Sequence, residues 1–270
     1  MNDRVNAKAA VRAPAWWKLA LEARAPFEFG AGIAALAPLL ALGPRGDGHP
    51  VIVYPGFGAT DRSTAPLRHV LGLLGYRAVG WGAGRNSGMK PAWLAEGAAQ
   101  LRSLGREHGR KVSLIGQSLG GIYARELAKL AADEVRCVIT LGTPFTGPPD
   151  ATNASRLYEW VNGKQHRTGP LRESVRSAPP VPTTSIYSRT DGVVAWQCSI
   201  EEPGALAENI EIECSHVGMG VNPLVLHAIA DRLAQPEGEW TPMRRDGLRR
   251  FAYPEPKQPG DFAAFAHATG

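Results

Sequence analysis

Dense apolar runs alternate along this chain with longer stretches in which apolar residues recur every three or four positions. Val51-Ile52-Val53-Tyr54, Arg77 to Trp81, Val112 to Ile115, Val135 to Leu141, Thr183 to Tyr187 and Ile210 to Ile212 are the dense runs. Each is short and mostly bounded by turn residues, the pattern of a strand buried on both faces. Between them, Leu67 to Leu74, Pro91 to His108, Ile122 to Ala132 and Leu224 to Leu233 have helical spacing, with Trp93, Leu94, Ala98, Leu101 and Leu104 sharing one side of the second. Strands and amphipathic helices in alternation predict an α/β fold, a mostly parallel central sheet with helices on both faces.

Three regions depart from this rhythm. Residues 1–43 carry Trp16, Trp17, Phe27, Phe29 and several leucines, and the pattern predicts helices. These either pack on the body or, through residues 16–42, contact a membrane surface. The apolar stretch Gly30 to Gly43 is too short to span a bilayer and contains Pro38. No compact basic start precedes it, so the expectation is a cytoplasmic chain without a secretory signal. Residues 44–235 hold the alternating body. Within them about 145–180 is too long for one crossover, which predicts an insertion of short helices, either a lid over the sheet's C-terminal edge or a passive excursion. Residues 236–270 are Pro-rich and aperiodic and are expected to run as a tail.

The bulk properties narrow the function classes. A chain of 270 residues buries a sizeable core unaided. The formal charge of +5 is spread out, with no basic stripe interleaved with aromatics, so nucleic acid is not an expected partner. The 3 cysteines form neither a disulfide framework nor a metal-ligand spacing, and no metal or cofactor is expected. Cys137 lies in an apolar strand. Cys198 and Cys214 bracket a stretch between two candidate site residues, so a bridge between them and two free thiols are both carried forward. A reducing cytoplasm favours the thiols.

Candidate chemistry begins at Gly116-Gln117-Ser118-Leu119-Gly120-Gly121. A serine alcohol is a poor nucleophile, and an enzyme using one must present its oxygen beside a base with the approach kept clear. G-x-S-x-G does so when a strand feeds a sharp turn into a helix. In a chain with 31 glycines the five letters alone say little, but the strand before and the helix after supply that setting. A base and an acid should follow other strands at the same sheet edge. Asp191 follows Thr183 to Tyr187 and His216 follows Ile210 to Ile212, whereas His227 sits inside a helix and His166 precedes the acid. The backbone N–H of Leu119 and one from Pro55-Gly56-Phe57-Gly58 are the candidate oxyanion donors. That glycine-rich loop lacks either nucleotide-binding spacing, so nucleotide binding is discarded.

Three pieces together, Tyr54-Pro55-Gly56-Phe57-Gly58, the Ser118 motif, and Leu141-Gly142-Thr143-Pro144, resemble the lipase and esterase branch of the α/β-hydrolase family over about Val51 to Leu233. The resemblance implies a compact sheet of about six strands, with Ser118 as nucleophile, His216 as base, Asp191 as its orienter, and the Phe57 and Leu119 amides as the oxyanion hole. Many relatives have His-Gly where this chain has Pro55-Gly56, so that loop needs other support. Gln117 stands where His is common. The implied substrate is a small-molecule or lipid ester, with Trp81, Phe145, Trp160, Val193, Val194 and Trp196 beside its apolar part. Amide or thioester cleavage and acyl transfer use the same groups, and a silent hydrolase-like domain that binds an apolar ligand is the non-enzymatic alternative. Oligomeric state is open.

Overall fold

The structure, a computed structural model, describes residues 11–147, 151–153 and 174–257. Six strands, β1 Pro50–Tyr54, β2 Arg77–Gly80, β3 Val112–Gln117, β4 Val135–Leu141, β5 Thr183–Tyr187 and β6 Ala207–Glu211, form one sheet in the order β2-β1-β3-β4-β5-β6. Every pairing is parallel. Helices α1 Ala25–Leu42, α2 Asp61–Leu73, α3 Pro91–His108, α4 Leu119–Leu130, α5 Pro223–Leu233 and the short α6 Arg249–Ala252 accompany it among the described residues.

Period-two alternation divides the core. Val51 and Val53 face one way, into a cluster with Leu67 and Leu71 of α2 and Val225 and Ile229 of α5. Ile52 and Tyr54 face the other, against Leu101 of α3 and Tyr123, Ala124 and Leu127 of α4. Both faces are therefore dry, as the continuous apolar runs required. Local signals set the helix starts: Asn222 accepts from the backbone N–H of Leu224 at 3.0 Å, and Pro91 and Pro223 occupy first-turn positions where no N–H is needed.

The structure moves two boundaries and adds an element. The strand expected at Ile210 to Ile212 runs from Ala207, because Glu208 and Asn209 are buried polar residues with partners: Arg232 donates to Glu208 at 2.6 Å and Asn209 donates to the Glu201 carbonyl at 2.8 Å. A hydropathy pattern does not see such positions. Helix α2 likewise starts at Asp61, before the first of its leucines. Ahead of α1, Trp16–Arg24 winds as a 3-10 helix, so the continuous helical stretch is longer than the apolar run alone. Trp16–Leu42 spans 27 residues and holds an 18-residue window with a mean hydropathy of 1.6, enough by length and composition to cross a membrane, and little of that window is buried. Of α1 only Gly32 and Leu39 are buried, while Phe27, Ile33 and Leu42 are exposed.

Most of the expected insertion lies outside the described residues. Ala151 to Asn153 return to the body through an antiparallel bridge from Thr152 to Val194, and Ser174 and Arg176 are tied to α4. Glu126 holds Ser174 and Arg125 holds the Arg176 carbonyl. Arg125 is central to the second tie. Fully buried, it pairs with Glu201, donates to the Ser177 carbonyl at 3.0 Å, and lies 3.8 Å over the ring of Phe145. In the tail, Met243 and Tyr253 are buried, and the phenolic oxygen of Tyr253 bonds the Leu224 carbonyl at 3.0 Å.

Candidate active site

Because the strands are parallel and in register, Pro55, Ser118, Gly142, Ser188 and Ile212 all leave the sheet at one edge. Ser118 stands between β3 and α4 with φ 52° and ψ −123°, the one non-glycine at positive φ among the described residues. Such a conformation costs about 1–3 kcal/mol and persists only where the surroundings dictate it. Here they do. Ser118 donates its N–H to the Leu141 carbonyl at 2.8 Å, and its own carbonyl accepts from Gly121 at 3.0 Å. The flanking glycines are steric requirements: a Cβ on Gly120 would sit 2.3 Å from the Tyr54 carbonyl oxygen, and one on Gly116 would sit 2.3 Å from that of Gly120. The motif is thus a close crossing of β1, β3 and α4 that leaves the serine at the helix start.

His216 and Asp191 are brought together. Nδ1 of His216 lies 2.7 Å from Oδ2 of Asp191. A carboxylate only accepts, so Nδ1 carries the proton and Nε2 is left as the lone-pair nitrogen. The other carboxylate oxygen, Oδ1, accepts from the N–H groups of Val193 at 2.7 Å and Val194 at 2.8 Å. Both side chains are buried, Asp191 at 3% and His216 at 7% exposure. Burial pushes the imidazole pKa down, but the Asp191 charge and hydrogen bond, with the Glu22 charge behind them, outweigh it and leave the value raised.

Two contacts bind this pair to the ends of β3 and β4. Gln117, next to Ser118, donates from its side chain to the His216 carbonyl at 2.9 Å. Gly142 packs against the pair so tightly that a Cβ there would fall 3.0 Å from His216 Nδ1 and 3.1 Å from Asp191 Oδ2.

By sequence the chain matches no protein-family model and no curated protein. In structure it is similar to Aspergillus fumigatus lipase B, with a TM-score of 0.56 and 19% identity, covering 70% of this chain and 53% of that one. It is also similar to a structure from the metagenome-derived lipolytic enzymes LipS and LipT (TM-score 0.52, 17% identity, 71% and 96% covered). A third is Bacillus licheniformis lipase BlEst2 in its propeptide form (TM-score 0.51, 18% identity, 74% and 55% covered). The chain spans about half the length of the Aspergillus lipase structure. The fold is that of the α/β-hydrolases.

In this hydrolase fold the candidate oxyanion donors flank the serine. Leu119 is the first residue of α4, where a backbone N–H has no intrahelical acceptor. Gly56 lies against the serine, a Cβ on it falling 3.4 Å from that of Ser118, which sets the Phe57 peptide beside the side chain. The support this loop needs in place of His-Gly comes from Asn86. Fully buried, it donates from Nδ2 to the Pro55 carbonyl at 2.8 Å, its carbonyl accepts from Gly58 at 2.6 Å, and its N–H donates to Ala59 at 2.8 Å. An asparagine in a glycine-rich loop reads in sequence as a turn residue, so nothing singled it out.

The expected pocket residues scatter. The Trp81 ring packs in the core, 5.0 Å from Trp93 and 5.7 Å from Tyr123, and its Nε1 donates to the Gly84 carbonyl. Phe145 lies under Arg125, and Val194 packs with Ala151, Ala195 and Cys198. Val193 and Trp196 are half-buried, the latter stacked on Tyr187. Trp160 lies outside the described residues. Cys198 and Cys214 form no disulfide in the structure, the second of the two alternatives; burial pushes the Cys214 thiol pKa well above its ordinary value.

Proposed function

We propose that the chain hydrolyses carboxylic esters through an acyl-serine intermediate. The observation that carries the reading is the buried Asp191–His216 hydrogen bond at the sheet edge where Ser118 is held at positive φ. In the first half-reaction Nε2 of His216 takes the Ser118 proton as Oγ attacks the ester carbonyl. The carbonyl oxygen becomes an alkoxide between the Phe57 and Leu119 amides. As the tetrahedral species collapses, the imidazolium returns the proton to the leaving alcohol and an acyl-serine remains. In the second half His216 takes a proton from water as hydroxide adds to the acyl carbon, and on collapse the imidazolium returns that proton to Ser118 Oγ, which regenerates the serine and releases the acid. Asp191 holds the tautomer and stabilises the imidazolium; it is not itself protonated.

The test is turnover of a short chromogenic ester by the native chain and by Ser118→Ala. Native turnover lost on that substitution, with the melting temperature unchanged, supports the reading. Turnover retained by Ser118→Ala removes the serine mechanism. A panel of acyl lengths, amides and thioesters then ranks the substrates. An apolar acyl part fits the reading, and the outward Trp16, Trp17, Phe27, Ile33 and Leu42 support contact of the N-terminal segment with the lipid phase that supplies it.

A further inference from the structure

We propose that Glu22, on the N-terminal 3-10 helix, is a positioning residue that clamps the acid-bearing and base-bearing loops together, so that the segment before the sheet is part of the active site. The inference rests on the reading of His216 and Asp191 as base and orienter.

Three contacts of Glu22 carry it. Oε1 of Glu22 accepts from the backbone N–H of Gly192 at 2.8 Å and from that of His216 at 3.0 Å, and Oε2 accepts from Val217 at 3.0 Å. One carboxylate thus holds the residue after the acid, the base itself, and the residue after the base, with charge-assisted bonds. Six residues on, Glu28 repeats the pattern beside it. It accepts from the Ser215 N–H at 2.8 Å and from the Ser215 hydroxyl, whose oxygen accepts from Gly218 at 2.9 Å.

The loops are shaped to receive the segment. A Cβ on Gly192 would sit 2.3 Å from the Lys18 carbonyl oxygen, and one on Gly218 would sit 1.7 Å from Glu28 Oε2. Lys18 and Arg24 close the edge, donating to the Arg189 carbonyl at 3.0 Å and the Thr190 hydroxyl at 2.6 Å. A surface helix that merely covered apolar area would not need glycines under two of its carboxylate contacts.

The arrangement also places charge. His216 faces Asp191 from the β5 loop and Glu22 from the N-terminal segment. Glu28 stands at the preceding residue, and Arg24 lies 3.5 Å from Glu28. Removing the Glu22 charge should make the imidazolium harder to form, moving the His216 titration to lower pH.

The experiment compares Glu22→Gln, Glu22→Ala and the control Asp61→Asn. Asp61 caps two backbone N–H groups, of Trp81 at 3.0 Å and Gly82 at 3.1 Å, without touching the His216 loop. Nuclear magnetic resonance titration of the His216 ring needs no substrate and no turnover. For Glu22→Gln we expect its midpoint below the native one, and for Asp61→Asn an unmoved midpoint. Turnover of a soluble ester should fall roughly ten- to hundredfold in kcat for Glu22→Gln, with KM little changed and the acid limb of the pH profile moved the same way. If Glu22→Ala fails to fold, Glu22→Gln, which keeps the side-chain length, carries the comparison. An unmoved His216 midpoint, or a native kcat, in Glu22→Gln overturns the proposal. A moved midpoint in a chain that turns over no ester leaves the clamp standing and removes the ester reading.

Discussion

Asp191→Asn replaces one carboxylate oxygen with an NH2 group and should silence the site while keeping the fold. The native carboxylate has three partners: Oδ1 takes the Val193 and Val194 amides, and Oδ2 takes Nδ1 of His216. Asparagine offers one acceptor and one donor. Two buried amides without an acceptor would cost about 1–3 kcal/mol each, more than one neutral hydrogen bond returns, so the Asn oxygen should turn to Val193 and Val194. Its NH2 then faces Nδ1, which must become the acceptor. The ring proton moves to Nε2, the nitrogen that has to receive the Ser118 proton. The wrong tautomer with intact geometry costs on the order of 10⁴ in kcat where this exchange has been made in a serine triad. The assay is steady-state ester hydrolysis beside a thermal melt. The melt carries a second signature. The folded His216 pKa is raised, so the pair's contribution is fully present below the unfolded value of about 6.5 and is lost as pH rises through the folded value. The stability gap between native and variant should therefore be widest in mild acid and close with rising pH. A kcat within tenfold of native, or a gap that widens with pH, would refute the reasoning.

Other outcomes follow from single contacts. Gly120→Ala puts a Cβ against two backbone oxygens, 2.3 Å from Tyr54 and 2.6 Å from Pro55; neither can swing away, so a loss of about 1–3 kcal/mol is expected in chemical denaturation, with lower kcat as β1 and the serine turn part. Arg125→Met leaves Glu201 buried and unpaired and should cost about 3–5 kcal/mol, whereas Arg125→Met with Glu201→Leu should recover most of it. Thiol titration of the unreduced, denatured chain should return 3 thiols. For the lipid-contact proposal, flotation with anionic vesicles should carry the native chain and lose a variant with Trp16, Trp17 and Phe27 changed to Ser; equal flotation of both would set that contact aside.

The inner strands were legible because each is a run buried on nearly every residue, and Val51 to Tyr54 needed no context to be read. The serine turn was legible because close backbone crossing admits only glycine at positions 116 and 120, so sterics wrote the motif into the sequence. Asp191 and His216, singled out by their place after strands, are joined by a hydrogen bond. Beyond those, periodicity lost its grip. Trp81 follows a strand, as a pocket residue would, yet neighbouring aromatics on α3 and α4 claim its ring. Position relative to a strand fixes where a backbone leaves the sheet, and side-chain destination depends on what else is large and near.

Glu22 and Asn86 mark the other boundary of what a sequence discloses. Each satisfies backbone groups of a loop distant in the chain, and any carboxylate or amide of suitable length could do so. The requirement therefore leaves its trace at the receiving end, in the missing side chains of Gly192 and Gly218, rather than in the donor residue. Gly192 reads in sequence as a turn glycine after Asp191, yet its φ lies outside the positive range, so conformation does not demand it. Approach does: Lys18 would collide with any side chain there. A glycine kept without a turn to explain it is a place where another part of the chain comes close, and here that part is the N-terminal segment closing on the acid and the base.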